Sequence, residues 1–398
     1  MNKNTKTILI HLSLFLITLI TTTLAGAQWR YGRLSLTMAE TLEGLKFSVP
    51  FLLIFTFHEF GHYFTAVKNN VKTSLPYFIP LPPVFFSIGT LGAVIRLKER
   101  VKSNRQNFDI GIAGPLAGFV IAMMVLFYGY SHLPEPDDYV LEIHPEYKYF
   151  GENFADYVYD PDTVVNKKML EPYLTAEELE NLPDTTIFSP DYGPFMKIQK
   201  SLMISFFENY IVSEEDKYKI PNVYEYAHYP FLFAGFLALF FTALNLLPIG
   251  QLDGGHVIYG LFGRKWHTYI AMTIYFGFLF YAGLGLISVR LPIDDLIFYI
   301  PLYIWFLSAC LRSVFLSKRD RWMYAVIIFT VQFLLNWLFP EIEGFPGWLL
   351  LAFMLGRFIG VKHPPSEIEV KLDTNRVILG WISLLILITC FVPAPLGI

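Results

Sequence analysis

Apolar residues fall along this chain in long uninterrupted runs, separated by short charged segments. About 20 apolar residues cross a bilayer as a helix. By that measure the sequence holds about nine candidate spans: 8–24, 45–66, 109–131, 229–249, 267–288, 296–316, 322–339, 346–361 and 377–396. The eighth is the shortest and weakest of them. The first follows Lys3 and Lys6 and ends at Ala25-Gly26-Ala27. It reads either as a cleaved signal peptide or as an uncleaved signal anchor, with the anchor favoured. Residues 67–108 fit neither pattern. Pro76, Pro80, Pro82 and Pro83 precede a glycine-punctuated, β-branched run to Ile95, which predicts a hairpin or re-entrant segment. Backbone with unmet hydrogen bonds cannot face lipid, so such a segment must pack on protein or line a wet cavity.

Composition agrees with a chain that lives in lipid. Of 398 residues, 54% are hydrophobic and only 16% charged, with 38 Phe and 24 Tyr. Soluble domains carry about a quarter charged residues. The net charge of -4 hides a segregation. Residues 134–228 hold 20 acidic and 7 basic residues and no Arg, which argues against nucleic acid as a partner. The basic residues cluster in alternate connections, including Lys98 to Arg105, Lys318 to Arg321 and Lys362 to Arg376. With nine spans these all fall on one side, which the positive-inside rule makes cytoplasmic. The fold class is therefore an all-α polytopic membrane protein, with a re-entrant β-hairpin and a small extracytoplasmic insert domain. The predicted divisions are 1–27, an N-terminal anchor or signal; 40–133, a membrane core; 134–228, the acidic insert; 229–262, a second core segment; and 263–398, the C-terminal helices. Residues 195–211 read as an amphipathic helix near the membrane. Cys310 and Cys390 sit in apolar runs and read as core or lipid-facing residues, not as a disulfide or metal pair.

The second run carries His58-Glu59-Phe60-Gly61-His62. On a helix, positions i and i+4 share a face, so both imidazoles can bind one metal ion. Glu59 is placed to take a proton from a water on that metal. Zinc suits two imidazoles and keeps an open position for water. Ionisable groups within a span cost about 2.5–3.5 kcal/mol each on insertion scales, so three in five positions mark a functional site. A third ligand is needed, commonly a carboxylate. The stretch Asn245 to His256 offers Asp253, in a break made by Pro248 and the following glycines. His256 reads equally as a residue orienting a ligand or as a boundary marker. His11, His132, His144, His228 and His267 are set aside as ligands, and His363 is read as structural.

H-E-x-x-H at 58–62 and N-x-x-P-x-x-x-x-D-G at 245–254 together resemble the site-2 proteases, intramembrane zinc metalloproteases. The stretch Asp109 to Phe119 is similar to that family's third-span motif, and His363-Pro364-Pro365 resembles its chloroplast branch and bacterial relatives. The resemblance is strong over 40–260. It implies His58, His62 and Asp253 as Zn2+ ligands, Glu59 as general base, and Asn245 as a donor to the substrate backbone or oxyanion. It implies that 80–97 presents substrate as an added strand. It further implies transmembrane protein substrates, such as an anti-sigma factor or a membrane-tethered regulator, and a bacterial inner membrane with the N-terminus cytoplasmic. The rival readings are a metal transporter, which would want several ligand clusters along a path, and a catalytically silent zinc-binding membrane protein, which would not need Glu59.

Overall fold

The computed structural model describes residues 3–84, 87–144, 147, 158–159 and 197–397. Most of the predicted insert domain at 134–228, and Phe85-Phe86 of the predicted hairpin, lie outside them. Twelve helices, numbered α1 to α12 in chain order, and two small antiparallel strand pairs make up the described residues. They begin with α1 (Lys3–Tyr31), α2 (Met38–Glu43) and α3 (Leu45–Lys68), followed by β1 (Tyr77–Pro80) and β2 (Thr90–Val94). Next come α4 (Asn104–Ser131), α5 (Pro136–Ile143), β3 (Lys197–Ile198) and α6 (Leu202–Phe206), which runs on as a π-turn, Phe207–Ile211. The remainder is α7 (Pro230–Leu246), α8 (Asp253–Ala282), α9 (Ile293–Cys310), α10 (Lys318–Leu338), α11 (Trp348–Met354, with a π-turn Leu355–Ile359), α12 (Thr374–Cys390) and β4 (Leu396–Gly397).

Among the described residues a helix covers each apolar run. Four segments, Thr5–Tyr31, Asn104–Ser131, Ile293–Ser313 and Lys318–Leu338, are long and apolar enough to cross a membrane on their own. The molecule is an integral membrane protein in its surface as well as its length. Ile8, Leu12, Val120, Met124, Ile297, Trp305, Leu385 and Ile388 all turn outward, an apolar exposure that water would not tolerate on such a scale.

Two apolar cores hold the helices together. In the first, Phe47, Phe51 and Ile54 of α3 meet Ala122 and Leu126 of α4, Phe233 and Leu237 of α7, and Ile386 of α12. The second gathers Tyr275 and Leu279 of α8, Leu307 of α9, Ala325 of α10 and Ala352 of α11. Apolar packing gives no net drive between helices already in lipid, so buried hydrogen bonds add direction. The Tyr275 hydroxyl donates to the Cys310 carbonyl at 2.8 Å, and Gln332 donates to the Phe280 carbonyl at 2.7 Å. Helix α1 packs on α3, where Thr23 and Ser48 share a buried hydroxyl bond of 2.8 Å. A side chain at Gly44 would strike the Thr23 carbonyl at 2.0 Å.

Strands β1 and β2 pair antiparallel, Tyr77 with Val94 and Phe78 with Ala93, and the register slips before Pro80–Thr90. Gly89 turns the chain at φ 78°, against the Thr21 carbonyl of α1, where any side chain would clash. One expectation changes. Residues 195–211 do not form one helix, because Lys197–Ile198 pairs with Leu396–Gly397 and Ser201 caps a new, short helix. A non-helical break at Gly263, φ 76° and ψ 173°, divides α8 in two, and Arg264 and Lys265 open its second half. Cys310 and Cys390 are both buried and unpaired with each other.

Candidate active site

Helix α3 presents His58 and His62 one turn apart, both buried, with their Nε2 atoms 3.1 Å from each other. The His62 Nδ1–H donates to the Ile110 carbonyl of α4 at 2.7 Å. A carbonyl only accepts, so this bond fixes the tautomer and leaves Nε2 as a bare lone pair. Asp253, the first residue of α8, brings Oδ2 to 3.5 Å from His58 Nε2 and 3.3 Å from His62 Nε2. Three donors at about 2.0–2.1 Å from a tetrahedral zinc lie about 3.3 Å from one another. The three side chains match that spacing, and two imidazoles with one carboxylate are a donor set zinc accepts. All three ligand atoms lie within 4.8 Å of one another.

Glu59 is buried on the same helix. The backbone of Ile95, just past β2, lies beside its carboxylate, so the strand pair ends next to Glu59. Asn245 is half-buried in the last turn of α7.

The local sequence explains how Asp253 arrives. Helix α7 stops at Leu246 before Pro248, which cannot donate the next bond. The chain then folds tightly back: Ile249 N–H donates to Leu247 O at 2.8 Å, and Gly250 N–H to Val361 O at 2.9 Å. Gly250 has φ 58°, and a Cβ there would meet the Gly360 carbonyl at 2.0 Å. A Cβ on Gly254 would meet the Leu246 carbonyl at 1.8 Å. The glycines after Asp253 thus let α8 start against the end of α7.

Sequence reasoning missed the floor of the site. Gly111, Gly114 and Gly118 line one face of α4 and receive three imidazoles. A Cβ at Gly114 would lie 2.1 Å from His62 Nε2, one at Gly118 3.1 Å from His58 Cβ, and one at Gly111 2.7 Å from His256 Cβ. The signal was present as the helical spacing of small residues within the stretch 109–119. Among the described residues His256 makes its hydrogen bond away from the triad: its Nδ1 is 2.8 Å from His363 Nε2. His363 in turn stacks on Tyr259 at 4.4 Å, and burial pushes its imidazole below the ordinary range. The His363 loop is pinned through the same tyrosine, since the Ser366 N–H donates to Tyr259 and Tyr259 donates to Glu369.

Residues 46–284 match the profile of peptidase family M50. The chain is 27% identical over 233 residues to the probable zinc metalloprotease EGY1, chloroplastic, of Arabidopsis thaliana, covering 58% of this chain and 31% of that protein. It is 26% identical over 289 residues to its counterpart in Oryza sativa subsp. japonica, covering 73% and 39%. The probable zinc metalloprotease EGY2, chloroplastic, of Arabidopsis thaliana is 22% identical over 277 residues, covering 69% and 38%. The chain therefore spans about a third of the length of these curated relatives. No solved structure matches it.

Proposed function

The chain belongs to peptidase family M50, and from that premise we propose that it is an intramembrane zinc metalloprotease of the site-2 type, cutting peptide bonds within or near transmembrane segments. The observation that carries this reading is the convergence of His58 Nε2, His62 Nε2 and Asp253 Oδ2 at 3.1–3.5 Å from one another, with a buried glutamate beside them. His58, His62 and Asp253 would hold the zinc. When bound, zinc supplies a Lewis acid for the scissile carbonyl and lowers the pKa of water.

The chain's own residues do the rest. The Glu59 carboxylate takes the proton from the attacking water and passes it to the leaving amine. The Asn245 amide donates to the oxyanion as charge develops on it. The β1–β2 pair acts as a re-entrant hairpin: a substrate segment, unwound from its helix, adds as a strand along it. The nearness of the Ile95 backbone to Glu59 supports this, because it sets the strand's end beside the base. The Ile110 carbonyl keeps His62 in the ligand tautomer.

The finer topology follows the same reading. Nine helices, α1, α3, α4 and α7 to α12, cross the bilayer. The N-terminus is cytoplasmic, 134–228 forms the extracytoplasmic insert, and the membrane is a bacterial inner membrane. The burial of Ala25 and Ala27 against the rest of the fold supports α1 as an anchor over a cleaved signal. Substrates are single-pass membrane proteins, an anti-sigma factor or a membrane-tethered regulator among them.

The test is Glu59→Gln. Purified variant and wild type are incubated with single-pass substrates, with and without chelator, and their zinc is counted. The variant should keep its zinc and lose cleavage by at least the 100-fold that general-base catalysis contributes. Cleavage that survives the substitution or the chelator overturns the assignment.

A further inference from the structure

A second convergence of ligand atoms lies at the other end of α4. His144 follows α5, and Glu225 and His228 sit in the turn that leads into α7. Their ligand atoms also lie within 4.8 Å of one another. His144 Nε2 is 3.1 Å from His228 Nε2 and 3.5 Å from Glu225 Oε2. His228 Nε2 is 3.6 Å from Glu225 Oε2. These spacings reproduce the first triad's 3.1, 3.5 and 3.3 Å. From Gly114 to Ser131 alone, α4 climbs about 25 Å, so the two clusters are separate.

The surroundings are those of a built site. The His228 Nδ1–H donates to the Arg30 carbonyl at 2.5 Å, which turns a bare Nε2 into the cluster, as the Ile110 carbonyl does for His62. The Tyr147 hydroxyl donates to Glu225 Oε1 at 3.3 Å, on the oxygen away from the imidazoles, and Tyr159 donates to the same carboxylate. The His144 ring lies flat on Tyr147, centroids 4.6 Å apart, which fixes its direction. Glu225 is 1% exposed and His228 9%. Metal-binding histidines are held in this way by a second partner on the far nitrogen, and ligating carboxylates by hydrogen bonds of their own.

We propose that His144, Glu225 and His228 form a second metal centre, taking zinc or a similar divalent transition ion, at the end of the molecule opposite the M50 site. Its role is to staple. His144 stands near the start of the acidic insert and residues 225–228 at its end, so one ion closes a loop of about 80 residues onto α1, α4 and α7. The chain-entropy saving of such a closure grows with loop length. The ion thereby ties the two ends of the insert together at that end of the molecule. The inference does not depend on the protease reading, since it uses none of the same side chains.

The test counts metal in the full chain, purified in detergent, dialysed against excess zinc chloride and desalted. Wild type should hold two zinc ions. His58→Ala/His62→Ala should hold one, and adding His144→Ala or Glu225→Gln should remove it. Cobalt chloride gives an independent readout: the His58→Ala/His62→Ala protein should show the intense visible absorption of low-coordinate cobalt, lost on adding Glu225→Gln. His144→Ala in the otherwise native chain, which leaves the first triad whole, should fall from two zinc ions to one. A wild type holding one zinc, or a count unmoved by His144→Ala, overturns the proposal and leaves an imidazole–imidazole hydrogen bond in its place.

Discussion

At the scale of single residues, the site depends as much on what is missing as on what is present. The two histidines and Asp253 were legible in the sequence, because the helical spacing of His58 and His62 and the glycine-rich break at Asp253 each carry their own signature. The α4 glycines were not legible as part of the site. Their role depends on how α3 lies across α4, which no local pattern states. Their contacts set up a graded prediction. At Gly114 an added methyl would sit 2.1 Å from His62 Nε2, the ligand atom itself. At Gly118 it would sit 3.1 Å from His58 Cβ, a contact that a few tenths of an ångström relieve. Gly114→Ala should therefore abolish zinc retention and cleavage, while Gly118→Ala should keep zinc and lose a few-fold in rate. Metal analysis and substrate cleavage on the two purified variants check the order. Equal zinc in both would show that α3 and α4 are free to part. The second triad was invisible for a different reason: His144 stands 81 residues before Glu225, and each of its histidines alone reads as an ordinary buried ring.

At the scale of elements, helix existence followed the apolar runs, but the joints did not. A run of hydrophobicity does not announce where a helix begins, so the start of α8 at Asp253 and its bend at Gly263 needed the backbone. Nor does it announce a strand two residues long whose partner lies at the far end of the chain. The joint between α4 and α12 belongs to the same class. Arg376 grips Asp109 with two bonds, Nε to Oδ1 at 2.6 Å and a terminal nitrogen to Oδ2 at 2.7 Å. Its neighbour Ile110 is the residue whose carbonyl orients His62. A planar fork makes both bonds at once, and an ammonium cannot. Arg376→Ala should cost about 2 kcal/mol, the range for hydrogen bonds to charged groups, and Arg376→Lys about half of that. Thermal unfolding in detergent should rank wild type above Lys above Ala. A lysine variant as stable as wild type would mean that charge alone, not the fork, joins the helices.

At the scale of the whole molecule, the loops sort themselves into two ends by direct contact. Lys362 donates to the Val314 carbonyl at 3.0 Å, and Ser103 bridges to Ile368, so the α9–α10, α11–α12 and α3–α4 connections share one end. At the other, Arg290 pairs with Glu341 at 2.6 Å, and the Gly344 N–H donates to Leu284 O at 3.0 Å. That joins the α8–α9 and α10–α11 connections. The first end holds Lys98, Arg100, Lys102, Arg312 and Lys318, and the second holds Asp294, Asp295, Glu341 and Glu343. The charge segregation read along the chain is thus also a segregation in space, and in the topology proposed above the basic end faces the cytoplasm. Leu316 is fully exposed at the basic end, and Glu341 is exposed at the acidic one. Both native cysteines are buried, so a single added thiol is read against a quiet background. Glu341→Cys should react with a membrane-impermeant maleimide on intact cells, and Leu316→Cys only after the membrane is opened. The reverse pattern would turn the molecule over. It would also move the metal triad of α3 and α8, which lies towards the basic end beside Ile110, to the outer side. Substrates would then have to be cut nearer their extracytoplasmic ends, and release of a cytoplasmic regulator would no longer follow from this site.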